Sequence, residues 1–372
     1  MTNLTAQDFP VSVEQQKHIL QRYLQIAIRG KRLQPHDVPQ VAFIGGQPGS
    51  GKSRTINNVL KNMGDGLAID SDELRLLHPD IARISQLDPL RMDVLSNGPV
   101  GEWTKALITY IREQRFNIII ENTFARSEIM AAEAENFERA GYQCSFIALA
   151  VPESVSRLGI VNRYRAAVQG GNIPRWTSEV SHTNAYAGIK TTVQELLSLG
   201  TTPAVTIASR FGDQNILVES PDQAADAITH IREDFFTKEN ISWWRDTYAQ
   251  VVDFVLQNGL VTDYSHTLLT NLAKDAEELL GNDVPANHET FHLALKNDLN
   301  SAAETENNVQ NLSQDKESVN FGADVSLLEG NKDEITTSHV EILSEQQSVY
   351  SDEDLADNTA NVDDDNTHGL SM

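Results

Sequence analysis

Apolar positions along this chain fall into short uninterrupted runs, separated by longer stretches in which they recur every three or four residues. The runs are Val41 to Ile44, Gly66 to Ile69, Asn117 to Glu121, Cys144 to Val151, Pro203 to Ser209 and Asn215 to Val218. Each has a length that suits a buried strand, and the spacing between most of them is helical. This alternation predicts an α/β fold with a parallel sheet and helices on both faces. Ligands then collect at the carboxyl ends of the strands.

Ahead of the first run, Val11 to Gly30 reads as a helix with Ile19, Leu20, Tyr23, Leu24, Ala27 and Ile28 on one apolar stripe, and Pro35 to Pro39 breaks it. Beyond the last run, Asp222 to Phe236 and Ile241 to Leu280 are helical, the second interrupted near Gly259. The expected organisation is an N-terminal helix over 1–40, a sheet domain over 41–237, a helical addition over 238–280 and an acidic tail over 281–372. The addition is expected to cap the sheet, with a separate helical module as the alternative. No repeat of solenoid length is present.

Charge sets the tail apart. Residues 281–372 hold 20 of the chain's 53 acidic residues and 3 of its 29 basic ones, and a segment so polar and so charged cannot bury enough apolar surface to order itself. The tail is expected to be disordered, a solvating extension first, with an export signal, an autoinhibitory flap or a mimic of nucleic-acid charge as alternatives. Of the net charge of −24 the tail carries −17, which leaves −7 on residues 1–280. A mildly acidic body offers no field for nucleic acid, so none is expected as a partner. Cys144 is the one cysteine and sits in an apolar run, which rules out an intramolecular disulfide and suits a buried thiol. With no secretory leader and no run of bilayer length, a soluble, cytoplasmic protein without a membrane partner is expected.

The chemistry begins at Gly46-Gln47-Pro48-Gly49-Ser50-Gly51-Lys52-Ser53, a complete phosphate-binding loop between the first apolar run and a helical stretch from Arg54 to Leu60. Its glycines let successive N–H groups face phosphate oxygens, Lys52 reaches the terminal phosphates and the Ser53 hydroxyl suits Mg²⁺. A plain glycine-rich turn is the alternative. Ile69-Asp70-Ser71-Asp72-Glu73 then places carboxylates at the end of the second run, beside that loop. A kinase uses such an acid to accept the hydrogen bond of an acceptor hydroxyl and aim its oxygen at the γ-phosphate, and Asp72 is the choice for that role. Asp70, three residues before Glu73, is read instead as the cap of a helix.

Two further groups join the rim. Glu121 and Thr123 end the third run, the first as a carboxylate near Mg²⁺ and the second as a substrate contact, with a polar strand end as the alternative. Ser156 to Val168 reads as an amphipathic helix carrying Arg163, and the Gly170-Gly171-Asn172-Ile173-Pro174-Arg175-Trp176 segment after it reads as a mobile flap. An arginine there can close over a triphosphate, although solvated helix arginines are the ordinary case.

In this order, Gly45-Gly46-Gln47-Pro48-Gly49-Ser50-Gly51-Lys52-Ser53, Ile69-Asp70-Ser71-Asp72, His78-Pro79, Ile120-Glu121-Asn122-Thr123, Ala150-Val151-Pro152, Asn162-Arg163-Tyr164 and Arg175 resemble the zeta toxins from about Val41 to Val218. The resemblance implies a P-loop kinase that uses ATP and Mg²⁺ to phosphorylate the amino-sugar 3′-hydroxyl of UDP-N-acetylglucosamine, opposed by an antitoxin protein. It makes Lys52 the phosphate-binding lysine, Ser53 the Mg²⁺ ligand, Asp72 the base, and Arg163 and Arg175 the clamp on the ATP phosphates. Glu121, Thr123 and Arg126 then match sugar-nucleotide contacts. One position departs: where the family has a sugar-binding Glu, this chain has Lys105, and Glu102 lies one helical turn earlier. The flap is also one residue shorter. A kinase for another small-molecule or nucleotide hydroxyl stays open, as does a nucleotide-gated interaction protein.

Overall fold

The computed structural model describes residues 4–28, 33–200, 202 and 204–297. In chain order its helices and strands are α1 (Val13–Ile28), β1 (Gln40–Gly45), α2 (Lys52–Met63), β2 (Leu67–Ile69), α3 (Ser71–Arg75), α4 (Ile81–Leu87), α5 (Met92–Leu95), α6 (Asn97–Glu113), β3 (Ile118–Asn122), α7 (Ser127–Arg139), β4 (Gln143–Leu149), α8 (Glu153–Gln169), α9 (Glu179–Ser198), β5 (Val205–Ala208), β6 (Asn215–Val218), α10 (Pro221–Asp234), α11 (Lys238–Gln257) and α12 (His266–Leu280). A last helical stretch covers 288–297.

The six strands form one sheet in the order β2-β3-β1-β4-β5-β6. Its centre is β1, where Val41, Ala42, Phe43 and Ile44 are fully buried because helices cover both faces. Side chains alternate across a strand, so Val41 and Phe43 face one layer and Ala42 and Ile44 the other. The first layer packs α1, α6, α7, α9 and α10 through Tyr23, Trp103, Phe137, Ile189 and Ile228. The second packs α2, α8, α11 and α12 through Ile56, Leu158, Val252 and Leu272.

Three expectations change. The edge strand β6 runs antiparallel to β5, with Val205 opposite Val218 and Ala208 opposite Asn215, whereas β1 to β5 are parallel. Six residues join β5 to β6, enough for a hairpin and too few for the crossover that a parallel neighbour needs. α8 is buried almost all round from Val155 to Val161 and is amphipathic only over its last turns, because α11 and α12 cover the face that would otherwise meet water. The helical addition packs on the sheet, where Trp244, Tyr248, Val252, Leu269 and Leu272 share one core with Ala42, Ile44 and Leu149. Lastly, the folded body extends past Leu280. Phe291 and Leu295 are buried in that same core, and Asn287 donates to Ala249 O at 2.8 Å, so 284–297 do not belong to the tail. The expected tail from 298 on lies outside the described residues.

Cys144 is half-buried, and burial pushes its thiol up to about 12, which keeps it protonated and unreactive. Among the described residues no helix is long and apolar enough to cross a membrane.

Candidate active site

The phosphate loop leaves the end of β1 and turns into α2 at Gly51, with Gly49 and Gly51 at φ of 79° and 92°, a left-handed region that glycine enters without strain. The loop is clamped from outside. Gln47 Nε2 donates to Val151 O at 2.8 Å and to Ser156 Oγ at 3.1 Å, and Ser156 Oγ lies 2.8 Å from His182 Nε2. Burial pushes His182 down to about 4, so the ring stays neutral at physiological pH. On the other side Arg210 Nη1 donates to Gly49 O at 2.5 Å, with its guanidinium 5.4 Å from the Trp243 ring centre.

α8 lies directly against the loop. A Cβ built on Gly159 would stand 2.3 Å from Gly49 O, and one on Gly49 would stand 2.0 Å from Ser156 O. Both obstacles are backbone, so neither can swing aside. Gly159→Ala is therefore expected to displace α8 from the loop, to weaken nucleotide binding at least about tenfold and to lower stability by about 1–3 kcal/mol. Nucleotide titration and denaturant unfolding measure both; unchanged affinity would show that this contact does not shape the loop.

Lys52 is buried and donates to Gly46 O at 2.6 Å and Gln47 O at 3.3 Å, with Glu121 Oε1 3.5 Å away. Burial lowers the pKa of its ammonium from the ordinary value, and Glu121 pulls the other way. Across the gap stands Asp72 on α3, whose start is capped by Asp70: its side chain accepts from Asp72 N at 2.7 Å. The reciprocal bond from Glu73 does not form, because Asp70 N donates to Tyr23 Oη at 3.3 Å instead. Burial and neighbouring Asp72 push the Asp70 carboxyl up to about 6.

Asp72 is held by three arginines. Arg175 Nη1 contacts Oδ2, and Arg163 Nη1 and Arg75 Nε each lie at 4.0 Å. Burial pushes the Asp72 carboxyl up, but Arg175 and Arg163 outweigh it and hold the group below its usual range. Arg163 is further aimed by Thr177 Oγ1 at 3.2 Å. The Nε groups of Arg163 and Arg175 and the Ser50 hydroxyl are buried without a hydrogen-bond partner, an arrangement of spare donors that suits an anion.

The structure thus brings Lys52, Glu121, Asp72, Arg163 and Arg175 together beside Gly46, Gln47, Pro48, Gly49, Ser50, Gly51 and Ser53. Ser53 is exposed at the first turn of α2 and Thr123 is half-buried after β3. Two candidates share no hydrogen bond or ion pair with this group. Glu102 is exposed on α6. Arg126 is exposed before α7 and lines a cavity of about 680 Å³ with Glu128, Asn184 and Glu195, which shares no residue with the phosphate-loop group. Sequence reasoning missed Arg75, Arg210 and His182. Arg75 had a signal, since it lies three residues after Asp72 on the same helical face; Arg210 and His182 come from distant segments and had none.

Comparison with known proteins fits this geometry. The family model described as Zeta toxin matches residues 26–221, more than half of the chain. The chain belongs to the zeta toxin family. A Toxin zeta of Streptococcus pyogenes is 25% identical over 193 residues, covering 51% of this chain and 66% of that protein, so the chain spans just under two thirds of this relative. Toxin PezT of Streptococcus pneumoniae serotype 4 is 24% identical over 223 residues, covering 59% and 86%. The structure from the PezAT chromosomal toxin-antitoxin system of that organism superposes with a TM-score of 0.56 at 18% identity, over 66% of this chain and 99% of that one. This zeta toxin family member therefore has the kinase-like fold of its relatives, and α11, α12 and the last helix lie beyond the family match.

Proposed function

We propose that the protein is an ATP-dependent phosphotransferase acting on a small-molecule hydroxyl, and that its acceptor is the amino-sugar 3′-hydroxyl of UDP-N-acetylglucosamine. The observation that carries this reading is that Arg163 and Arg175, which pair with Asp72, are also the cations whose charge acts on Lys52 in the phosphate loop. Loop amides and Lys52 hold the β- and γ-phosphates. The acceptor oxygen bonds to the γ-phosphorus as the bond to the β–γ bridging oxygen breaks, the hydroxyl proton passes to Asp72, and ADP leaves.

Asp72 paired with Arg175 is a weak base. A γ-phosphate offers Arg175 a stronger partner, and its departure raises the basicity of the Asp72 carboxylate, so ATP arrival itself readies the base. The exposed Ser53 hydroxyl, with the Glu121 carboxylate of β3, would supply the hard oxygen donors that Mg²⁺ takes. When bound, that ion supplies charge neutralisation on the phosphates. Reaction then depends on positioning and charge balance more than on covalent chemistry.

Lys105 in place of the family's sugar-binding Glu favours a second reading in which the acceptor is a different small-molecule hydroxyl. The relatives' membership of toxin-antitoxin pairs supports an antitoxin partner that would cover the nucleotide site. Incubation of purified protein with Mg-ATP and UDP-N-acetylglucosamine is expected to yield a singly phosphorylated sugar nucleotide by mass. Transfer only to other acceptors would replace the first reading with the second, and ATP binding with no acceptor turned over would sink both.

A further inference from the structure

Beyond the family match, α12 and the last helical stretch bring three metal-type ligands together. His288 and His292 are four residues apart on that stretch, within the wording His288-Glu289-Thr290-Phe291-His292. Two histidines at this spacing share a helical face, the arrangement by which a helix presents a zinc pair. Glu277 of α12 faces them: its Oε1 lies 2.7 Å from His292 Nε2 and 3.5 Å from His288 Nε2. Each residue offers one ligand atom, and these atoms all lie within 4.8 Å of one another.

We propose that Glu277, His288 and His292 form a binding site for a divalent transition-metal ion of the zinc class, which fastens the last helix to α12.

Bond lengths to tetrahedral zinc of about 2.0–2.2 Å place its ligand atoms about 3.4 Å apart, so the observed separations need only small side-chain rotations to close on an ion. His292 Nε2 is buried without a hydrogen-bond partner, since its approach to Glu277 lacks hydrogen-bond geometry. His288 is already oriented, with Nδ1 2.7 Å from the buried Tyr248 hydroxyl. With Nδ1–H donating to the Tyr248 oxygen, Nε2 carries the lone pair that a metal takes. Glu277 is half exposed, which leaves a coordination position open to water. Glu289 between the histidines is exposed and is not among the ligands. In the other cluster of this type among the described residues, Glu153, Glu179 and His182, both carboxylates already pair with the Arg157 guanidinium, a cation that competes with a metal ion.

The test uses the full chain without a histidine tag, stripped with a chelator and titrated with Zn²⁺ in a calorimeter. One ion per chain is expected, with a dissociation constant below about 1 μM, and Co²⁺ in its place should give the visible absorption of a four-coordinate site. Glu277→Gln and His292→Ala should each weaken Zn²⁺ binding at least about tenfold. Saturating Zn²⁺ should raise the melting temperature of the parent protein by several degrees and of neither variant. Both changes sit at partly exposed residues, so the metal-free melting temperatures should stay close to the parent's; should His292→Ala fail to fold, Glu277→Gln decides. Absence of Zn²⁺ binding by the parent, or affinity unchanged in the folded variants, would overturn the assignment.

Discussion

Asp72→Asn is expected to slow phosphoryl transfer by about three orders of magnitude while leaving ATP binding intact or tighter. The reason is the double attachment of this carboxylate. It is the acceptor's proton acceptor in the proposed reaction, and in the absence of ATP it neutralises Arg75, Arg163 and Arg175. An amide cannot take the proton, so the chemical step loses its base. Nor can it balance three guanidinium groups, so the phosphates of ATP gain cations that no longer need to leave a carboxylate. In the absence of ATP the variant should be less stable, by about 1–3 kcal/mol given that the site is partly open to solvent. The stabilisation on adding ATP should accordingly be larger in the variant than in the parent protein. Single-turnover rates, nucleotide titration and melting with and without ATP separate these effects. A variant that transfers phosphate at the parent rate would remove Asp72 from the chemistry, and one that loses ATP affinity would show that the arginines need Asp72 to hold them in place.

Much of this site was legible because its parts are short and local. Gly46 to Ser53 carries its phosphate chemistry in one stretch, and Asp72 is positioned by a strand end and by the Asp70 cap, both readable from neighbouring residues. Glu121 follows from the same logic, since the end of a parallel strand lies at the rim. What stayed hidden depends on segments far apart in the chain. The contact of Gly159 with Gly49 carries no local signal, because a glycine inside a helix is read as a weakness until the partner backbone is known. Arg210 reaches Gly49 from the β5–β6 hairpin, and a hairpin was not expected where a parallel strand was. The burial of α8 was missed for a related reason: periodicity assumes one wet face, and here both faces are dry because α11 and α12 fold back over it. The end of the body was placed too early because the acidic count of the tail outweighed a single buried pair, Phe291 and Leu295.

Arg157→Met is expected to destabilise the whole protein by about 3–5 kcal/mol, with the deficit growing as pH rises. Arg157 lies on α8, almost wholly buried, and meets carboxylates from three directions. Its Nη2 is 2.9 Å from Glu153 on its own helix, its Nε and Nη2 engage Glu179 of α9 at 3.1 and 2.9 Å, and its Nη1 contacts Asp275 of α12. Asn271 donates to Glu179 at 2.8 Å as well. The cluster fastens the helix behind the phosphate loop to a helix outside the family match, so its loss should loosen both. Methionine fills the volume but leaves Glu179 and Asp275 buried without their cation. Burial already holds the Asp275 carboxyl at about 6 from an ordinary 3.8, even with Arg157 pulling it down. A folded carboxyl raised above its unfolded value keeps its proton longer in the native state, so stability falls as pH rises from 3.8 toward 6. Without Arg157 the force that pulls the Asp275 value down is gone and it climbs further, so the fall continues above pH 6. Denaturant unfolding at pH 5 and pH 8 should therefore show a larger gap between variant and parent at pH 8. A gap that is the same at both values would mean that the carboxylates find water when the arginine is gone. In that event α12 is held against α8 by apolar packing rather than by this ion cluster.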